Sequence, residues 1–285
     1  MNLDIRQLSS DEFPQLLTEI PDAPKKLYVR GTLPPADIKL LAVVGSRKYT
    51  PYGKQAVETL LKGLAGYPIA IISGLALGID SLAHEAALAS NLPTIAVPGS
   101  GLNDDVLYPS MHRKLAQKIL VAGGALLSEF EPDFRATPYS FPQRNRIMAG
   151  MSHAVLMIEA AEKSGTLITA RLTSDYNREL LVVPGSIFSA NSFGPHLFLS
   201  LGATPITRSA DILRVFGMEP AAKSALLRTD ISEEERQVME ALQTPLSRDE
   251  LIVALALKTQ DANILLSTME LKGLITEEFG KIHAL

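Results

Sequence analysis

The 285-residue chain has no cysteine, 46% apolar and 20% charged residues, and a formal net charge of −4. This excludes disulfides, thiolate catalysis and cysteine-ligated zinc, and it is too apolar for global disorder. No apolar run reaches the roughly 20 residues of a membrane helix and the first residues lack a signal-peptide pattern, so a soluble cytoplasmic protein is expected.

The first 39 residues hold Pro14, Pro21, Pro24, Pro34 and Pro35 and little periodicity. They predict a short helix near Glu12–Ile20 and then an extended lead-in, "KKLYVRG". From Leu40 the pattern turns regular. Apolar runs at Leu40–Val44, Ile69–Ile72, Thr94–Val97, Ala125–Leu127, Val155–Ile158 and Leu180–Val183 predict strands. Helical spacing occupies Gln55–Ala65, Ile79–Ala89, Met111–Leu120 and Leu167–Arg178. Strands apolar on both faces, alternating with helices, predict an α/β domain over residues 40–217. Its sheet is doubly wound, mostly parallel and Rossmann-like. A linker is predicted over 218–228, "MEPAAKSALLR". Three short helices and two strands around Gly280 then predict a winged-helix domain over 229–285.

Charge divides unevenly along this plan. Residues 1–228 carry 22 Lys and Arg against 20 Asp and Glu, whereas 229–285 carry 5 against 11. Any polyanion on the main domain must therefore be held by a local pocket rather than a broad basic field.

Ligands of open parallel sheets bind beyond the carboxyl ends of the strands. The segments that follow the strands here are "GSRKYT", "SGLALGID", "PGSGL", Ser128–Glu129, Glu159 ahead of "SGTLITA", and "PGS". Each alone reads as turn chemistry; six along one edge read as one long site. In the first, Gly45, Ser46 and Arg47, the arginine stands where a dinucleotide fingerprint would place its second glycine. It fills the room of a buried pyrophosphate and supplies a planar, bidentate clamp for an exposed phosphate.

"SGTLITAR" puts Ser164, Gly165 and Thr166 at a helix N-terminus, where amides and dipole accept an anion; an ordinary N-cap is the plainer alternative. In "FPQRNRIMAG", Arg144 and Arg146 can clamp phosphate, Asn145 can pair with a base edge, and Phe141 can stack on a base. Alternatively Phe141 is a staple and the arginines a solvated face. Catalytic candidates are poor. Asp80 and His84 suggest a hydrogen-bonded pair on one helix, and Tyr108 and Asp104–Asp105 suggest loop architecture. Glu159 could organise Arg47 or Arg144 as a buried ion pair, or act in catalysis. No histidine pair has metal-ligand spacing, and no metal or cofactor is expected.

The ordered series "VVGSRKYTPYG", "SGLALGIDSLAH", "GLNDDVLYP", "LLSEF", "FPQRNRIMAG", "SGTLITA" and "VPG" resembles the DprA/Smf family, the DNA-processing protein A of bacterial natural transformation. The resemblance runs from about Phe13 to Leu213, and the tail is similar to the winged-helix domain many members carry. It implies an extended Rossmann fold, a homodimer and sequence-independent binding of single-stranded DNA. It also implies protection of incoming strands, interplay with single-strand-binding protein, loading of the RecA recombinase and no enzymatic activity. Carried over residue by residue, the DNA pocket comprises Gly45, Ser46, Arg47, Gly74, Phe141, Arg144, Asn145, Arg146, Ser164, Gly165, Thr166 and Thr169. His196 stands where members usually have Asn, which puts that local contact in doubt. With 39 residues before the first predicted strand, the N-terminal helical module of many members is expected to be absent.

The third helix of the tail, Gln260–Gly273, offers Lys272 alone against Asp261 and Glu270, so this module is expected to contact protein or regulate rather than grip a duplex. The alternative function is a phosphoribohydrolase-like nucleotide-processing enzyme. Such enzymes place a glutamate three residues after the threonine of their Gly-Thr motif; that position is Thr169 here.

Overall fold

The structure, a computed structural model, describes residues 4–219, 232–242, 246–255, 259–278 and 280–284. The chain divides into two units, Met1–Met218 and Glu219–Leu285. Most of the predicted linker, from residue 220 on, lies outside the described residues.

The first unit runs β1 (Arg6–Gln7), α1 (Gln15–Thr18), β2 (Tyr28–Gly31), β3 (Lys39–Val44), α2 (Pro51–Lys62), β4 (Ile69–Ser73), α3 (Ile79–Ala89) and β5 (Thr94–Ala96). It continues through α4 (Arg113–Val121), β6 (Ala125–Ser128), α5 (Ser140–Met151), β7 (Ala154–Met157), α6 (Thr166–Asp175), β8 (Glu179–Val182), α7 (Phe193–Ser200), β9 (Thr204–Pro205) and α8 (Ser209–Val215). One nine-stranded sheet has the order β1-β2-β6-β5-β4-β3-β7-β8-β9. All its pairings from β6 to β9 are parallel. The strand order reverses at β3, which lies between β4 and β7, so the crevice beyond Val44 and Met157 is the topological switch point.

The N-terminal lead-in differs from expectation. β2 pairs antiparallel with β6, β1 pairs antiparallel with β2, and Leu8, Leu17, Ile20, Leu27 and Val29 are buried in the core. The expected helix near Glu12–Ile20 is a 3-10 turn at Ser10–Glu12 followed by one α-turn, since Pro14 separates them.

Side chains alternate across the sheet as period-two strands require. Ala42, Val44, Val155 and Met157 pack with Ile147, Met148, Leu167 and Phe198 beneath α5, α6 and α7. Leu41, Val43, Leu156 and Leu181 pack with Val57, Leu61, Ile79 and Ile212 beneath α2, α3 and α8. Each fully buried Leu, Ile or Val side chain contributes about 1.5–3 kcal/mol, so burial on both faces holds the sheet ends in fixed register.

The second unit has α9 (Glu233–Ala241), α10 (Arg248–Leu255), α11 (Thr259–Leu271), and the antiparallel pair β10 (Ile275–Glu278) and β11 (Lys281–Ala284). Its own core joins Val238, Leu251, Leu266, Met269 and Ile282. Gly280 turns the hairpin at φ +74°, where a side chain would strain.

Candidate nucleic-acid interface

The switch-point crevice opens into a cleft of about 900 Å³. Gly45, Ser46 and Arg47 form one wall, Phe141, Arg144 and Asn145 a second, and Ser164, Gly165, Thr166 and Thr169 a third.

The first wall is a loop whose shape is fixed from several sides. Ser46 Oγ accepts from the Lys48 amide at 3.0 Å and donates to the Lys48 carbonyl at 2.9 Å, so it orders its own turn. A Cβ on Gly45 would meet the Ile79 side chain at 2.6 Å, and one on Gly78 would meet the Ser46 carbonyl at 2.3 Å. Glycines there let α3 start against the loop. Thr50 caps α2 and is held by Glu159, which accepts from its amide at 2.9 Å and its hydroxyl at 2.5 Å. Asn191 Nδ2 donates to the Lys48 carbonyl at 2.9 Å and to Glu159 at 3.4 Å. Glu159 is therefore a buried brace of the loop. It pairs with neither Arg47 nor Arg144, and its two oxygens are already engaged.

Arg47 projects from this loop into solvent at the cleft, its guanidinium 5.5 Å from the Phe141 ring centroid. Among the described residues it makes no hydrogen bond or ion pair. Phe141 also tilts against Tyr108 at 5.5 Å, and Gly99 gives its ring room, since a Cβ there would lie 2.6 Å from it.

The two arginines of α5 do different work. Arg144 is 4% exposed and spans the carbonyl ends of β4 and β5: its Nη1 donates to the Gly74 carbonyl at 2.5 Å and to that of Val97. Its Nε donates to Asn145 Oδ1 at 3.2 Å. Burial pulls this guanidinium down to about 10 despite the Asp80 carboxylate, and the Arg47 charge adds to that pull. Asp80 is buried beside it, which raises its carboxyl above the ordinary range against the opposing Arg144 charge and the amides of Ala76 and Gly74. Gly74 supplies room for this pair: a Cβ there would meet Arg144 Nη1 at 1.9 Å and Asp80 Oδ2 at 2.5 Å. Arg144 thus forms part of the floor and is committed to the frame. Arg146 is not brought into the cleft. It forms ion pairs with Glu129 and, at 3.5 Å, with Asp22, because two helical residues apart point about 200° apart.

Asp80 and His84 do not pair, contrary to expectation. Asp80 accepts from the Gly74 amide at 3.1 Å, while His84 Nδ1 meets Thr94 Oγ1 at 2.8 Å. Burial holds the imidazole down to about 3, so it is neutral at neutral pH. His196 meets the Gly185 carbonyl through Nε2 at 3.0 Å and so braces the loop after β8.

The third wall is the start of α6. Ser164 Oγ accepts from the Thr166 amide at 3.2 Å and donates to Thr166 Oγ1 at 3.0 Å, so it caps one first-turn amide of a helix end that lines the cleft. Lys48 and Lys163 also line the cleft, and both are exposed. Sequence reasoning passed over them, although one follows Arg47 directly and the other precedes "SGT". Asn191 was missed too, and nothing local in the sequence marks it. The arrangement presents three exposed cations, Arg47, Lys48 and Lys163, one aromatic face and a helix N-terminus around an open groove, a set suited to successive phosphates with a base against the ring. No cluster of three His, Asp or Glu able to hold a metal occurs among the described residues.

In the second unit the described cations are largely met by carboxylates. Lys272 pairs with Glu235 at 2.6 Å, Arg248 with Glu277 at 3.0 Å and Glu270 at 3.2 Å, and Arg236 with Glu233 at 3.2 Å.

Comparisons with known proteins agree with this architecture. Protein Smf of Escherichia coli is 43% identical over 204 residues, covering 72% of this chain and 54% of the relative, so the match spans about half of that protein. DNA processing protein DprA of Streptococcus pneumoniae is 40% identical over 206 residues, 72% of each chain. Its crystal structure superimposes with a TM-score of 0.68 at 37% identity over 74% of each chain. A Helicobacter pylori DNA processing protein A structure, described for its single-stranded DNA binding mode, gives 0.66 at 33% identity over 75% of this chain and 96% of that one. Residues 4–217 match the family model for DNA recombination-mediator protein A, and residues 218–281 match the DprA winged helix domain. The chain belongs to the DNA recombination-mediator protein A family, DprA/Smf.

Proposed function

We propose that this chain binds single-stranded DNA in the switch-point cleft and acts as a recombination mediator, positioning the strand without making or breaking bonds. The observation that carries this reading is Arg47: an exposed guanidinium without hydrogen bond or ion pair among the described residues, poised over Phe141 at an open groove. A pre-organised cation stacked beside a ring costs little ordering when it meets a phosphate, and the ring accepts any base. Lys48, Lys163 and the α6 start continue the same chemistry along the groove. Family membership and the Helicobacter pylori relative support the choice of ligand.

The finer roles rest on the family alone. These are protection of incoming strands in transformation, interplay with single-strand-binding protein, loading of RecA, action as a homodimer and a cytoplasmic setting. No helix among the described residues is long and apolar enough to cross a membrane. The test is a titration of labelled oligo-dT and of a duplex of equal length at several salt concentrations. Tighter binding of the single strand is expected, with log K falling against log salt by about 0.7 per phosphate neutralised. Absence of single-strand binding at low salt would refute the reading.

A further inference from the structure

Beside the cleft, the loop from Pro184 to Ser192, "PGSIFSANS", carries two apolar side chains pushed into solvent: Ile187 is 80% exposed and Phe188 93%. The loop has a defined course. Ser186 Oγ accepts from the Phe188 amide at 3.2 Å, and its carbonyl accepts from the Ser189 amide at 3.0 Å. The Asn191 carbonyl accepts from the Ala160 amide at 2.7 Å, and His196 meets Gly185 at the other end. A frame this well tied could bury its tip, yet it holds an aromatic ring outward.

Further aromatic side chains are tied to the loop or flank it in sequence. Tyr52 Oη donates to the Pro184 carbonyl at 2.5 Å, Phe193 follows the loop directly, and Tyr49 belongs to the segment whose Lys48 carbonyl accepts from Asn191. Tyr49, Tyr52 and Phe193 are all exposed. Asn191 lines the cleft and also closes this loop, so the loop that carries Phe188 reaches the cationic groove at that residue. The segment from Pro184 to Phe193 contains no carboxylate to repel a phosphate.

We propose that Phe188, with Tyr52 beside its loop, forms a second base-stacking platform that receives the nucleobases of a single strand leaving the cleft past Asn191. This rests on the single-strand reading above and adds a site to it. A ring exposed beside a cationic groove can stack on any base, and such contacts strengthen binding substantially without sequence preference. A strand too short to leave the cleft would not use it.

The test compares the full chain with Phe188→Ala and Phe188→Trp. Fluorescence polarisation would use oligo-dT of about four nucleotides and of about twelve, bracketing common single-strand site sizes. Sedimentation would be run in parallel. For Phe188→Ala, affinity for the longer strand is expected to fall about tenfold while the shorter strand binds as before; Phe188→Trp keeps wild-type affinity for both. Unchanged affinity of Phe188→Ala for both strands would overturn the platform alone. So would an equal loss for both lengths accompanied by a change of oligomeric state, which would make the tip a protein contact. Wild-type chain that binds neither oligonucleotide would overturn the cleft assignment as well.

Discussion

Replacing Arg144 by alanine removes the buried cation that acts most strongly on Asp80 and that spans the Gly74 and Val97 carbonyls. What remains is a buried carboxylate without its strongest opposing charge and two carbonyls at the ends of central strands. Taking the opposing charge from a buried carboxylate and the donor from two strand-end carbonyls costs about 3–5 kcal/mol, because the groups left behind stay desolvated. In a unit of this size each kcal/mol lowers the melting temperature by about 2–4 °C, so a fall of about 6–20 °C is expected. The loss depends on pH. Burial already raises the Asp80 carboxyl, and without Arg144 it rises further, so the folded variant keeps a proton that the unfolded chain releases. The proton's contribution is greatest below the ordinary aspartate value and disappears as pH rises through the raised one. The variant should therefore lose stability toward neutral pH relative to wild type. Scanning calorimetry or thermal circular dichroism between pH 4 and 8 measures both effects. A melting temperature within a few degrees of wild type at pH 7 would refute the role of Arg144 as a structural tie.

Arg146→Ala, which leaves Glu129 and Asp22 unpaired on the far side of α5, should lower the melting temperature while oligo-dT affinity stays within about twofold. His84 should make the protein acid-sensitive: its folded value of about 3 lies below the ordinary histidine value, so its contribution is present above about pH 6.5. It is lost at about 1.4 kcal/mol per unit as pH falls below that, and a His84→Gln variant should show a shallower acid slope in urea titrations between pH 6.5 and 5. Removing residues 219–285 should leave single-strand affinity nearly intact, since Arg236, Arg248 and Lys272 of that unit are engaged by its own carboxylates. A large loss in polarisation titrations, with the remaining unit still folded, would show that the winged helix grips DNA.

The central strands were legible because β3 to β8 are short apolar runs bounded by glycine and hydroxyl residues, which few other structures accommodate. β1 and β2 were not, since they pair antiparallel at an edge and lie in a proline-broken stretch. α7 escaped notice because Gly194 and Pro195 occupy its first turn, where proline is tolerated but the pattern looks like a loop. At the site, residue types were readable and directions were not. Helical geometry alone forbids Arg144 and Arg146 from facing one ligand, yet only the packed structure shows that neither is free. The role of Glu159 depends on Thr50, 109 residues away, and on Asn191, 32 residues away. Such separations leave no local trace.

The most direct test of the cleft's assignment is the affinity of Arg47→Ala for oligo-dT beside wild type, measured across a salt series. Loss of a bidentate charge-assisted contact should weaken binding more than about tenfold and reduce the salt slope by about 0.7. The melting temperature should move by no more than about 2–3 °C, because Arg47 is exposed and makes no hydrogen bond or ion pair among the described residues. Equal affinity and an equal salt slope in the two proteins would contradict the account.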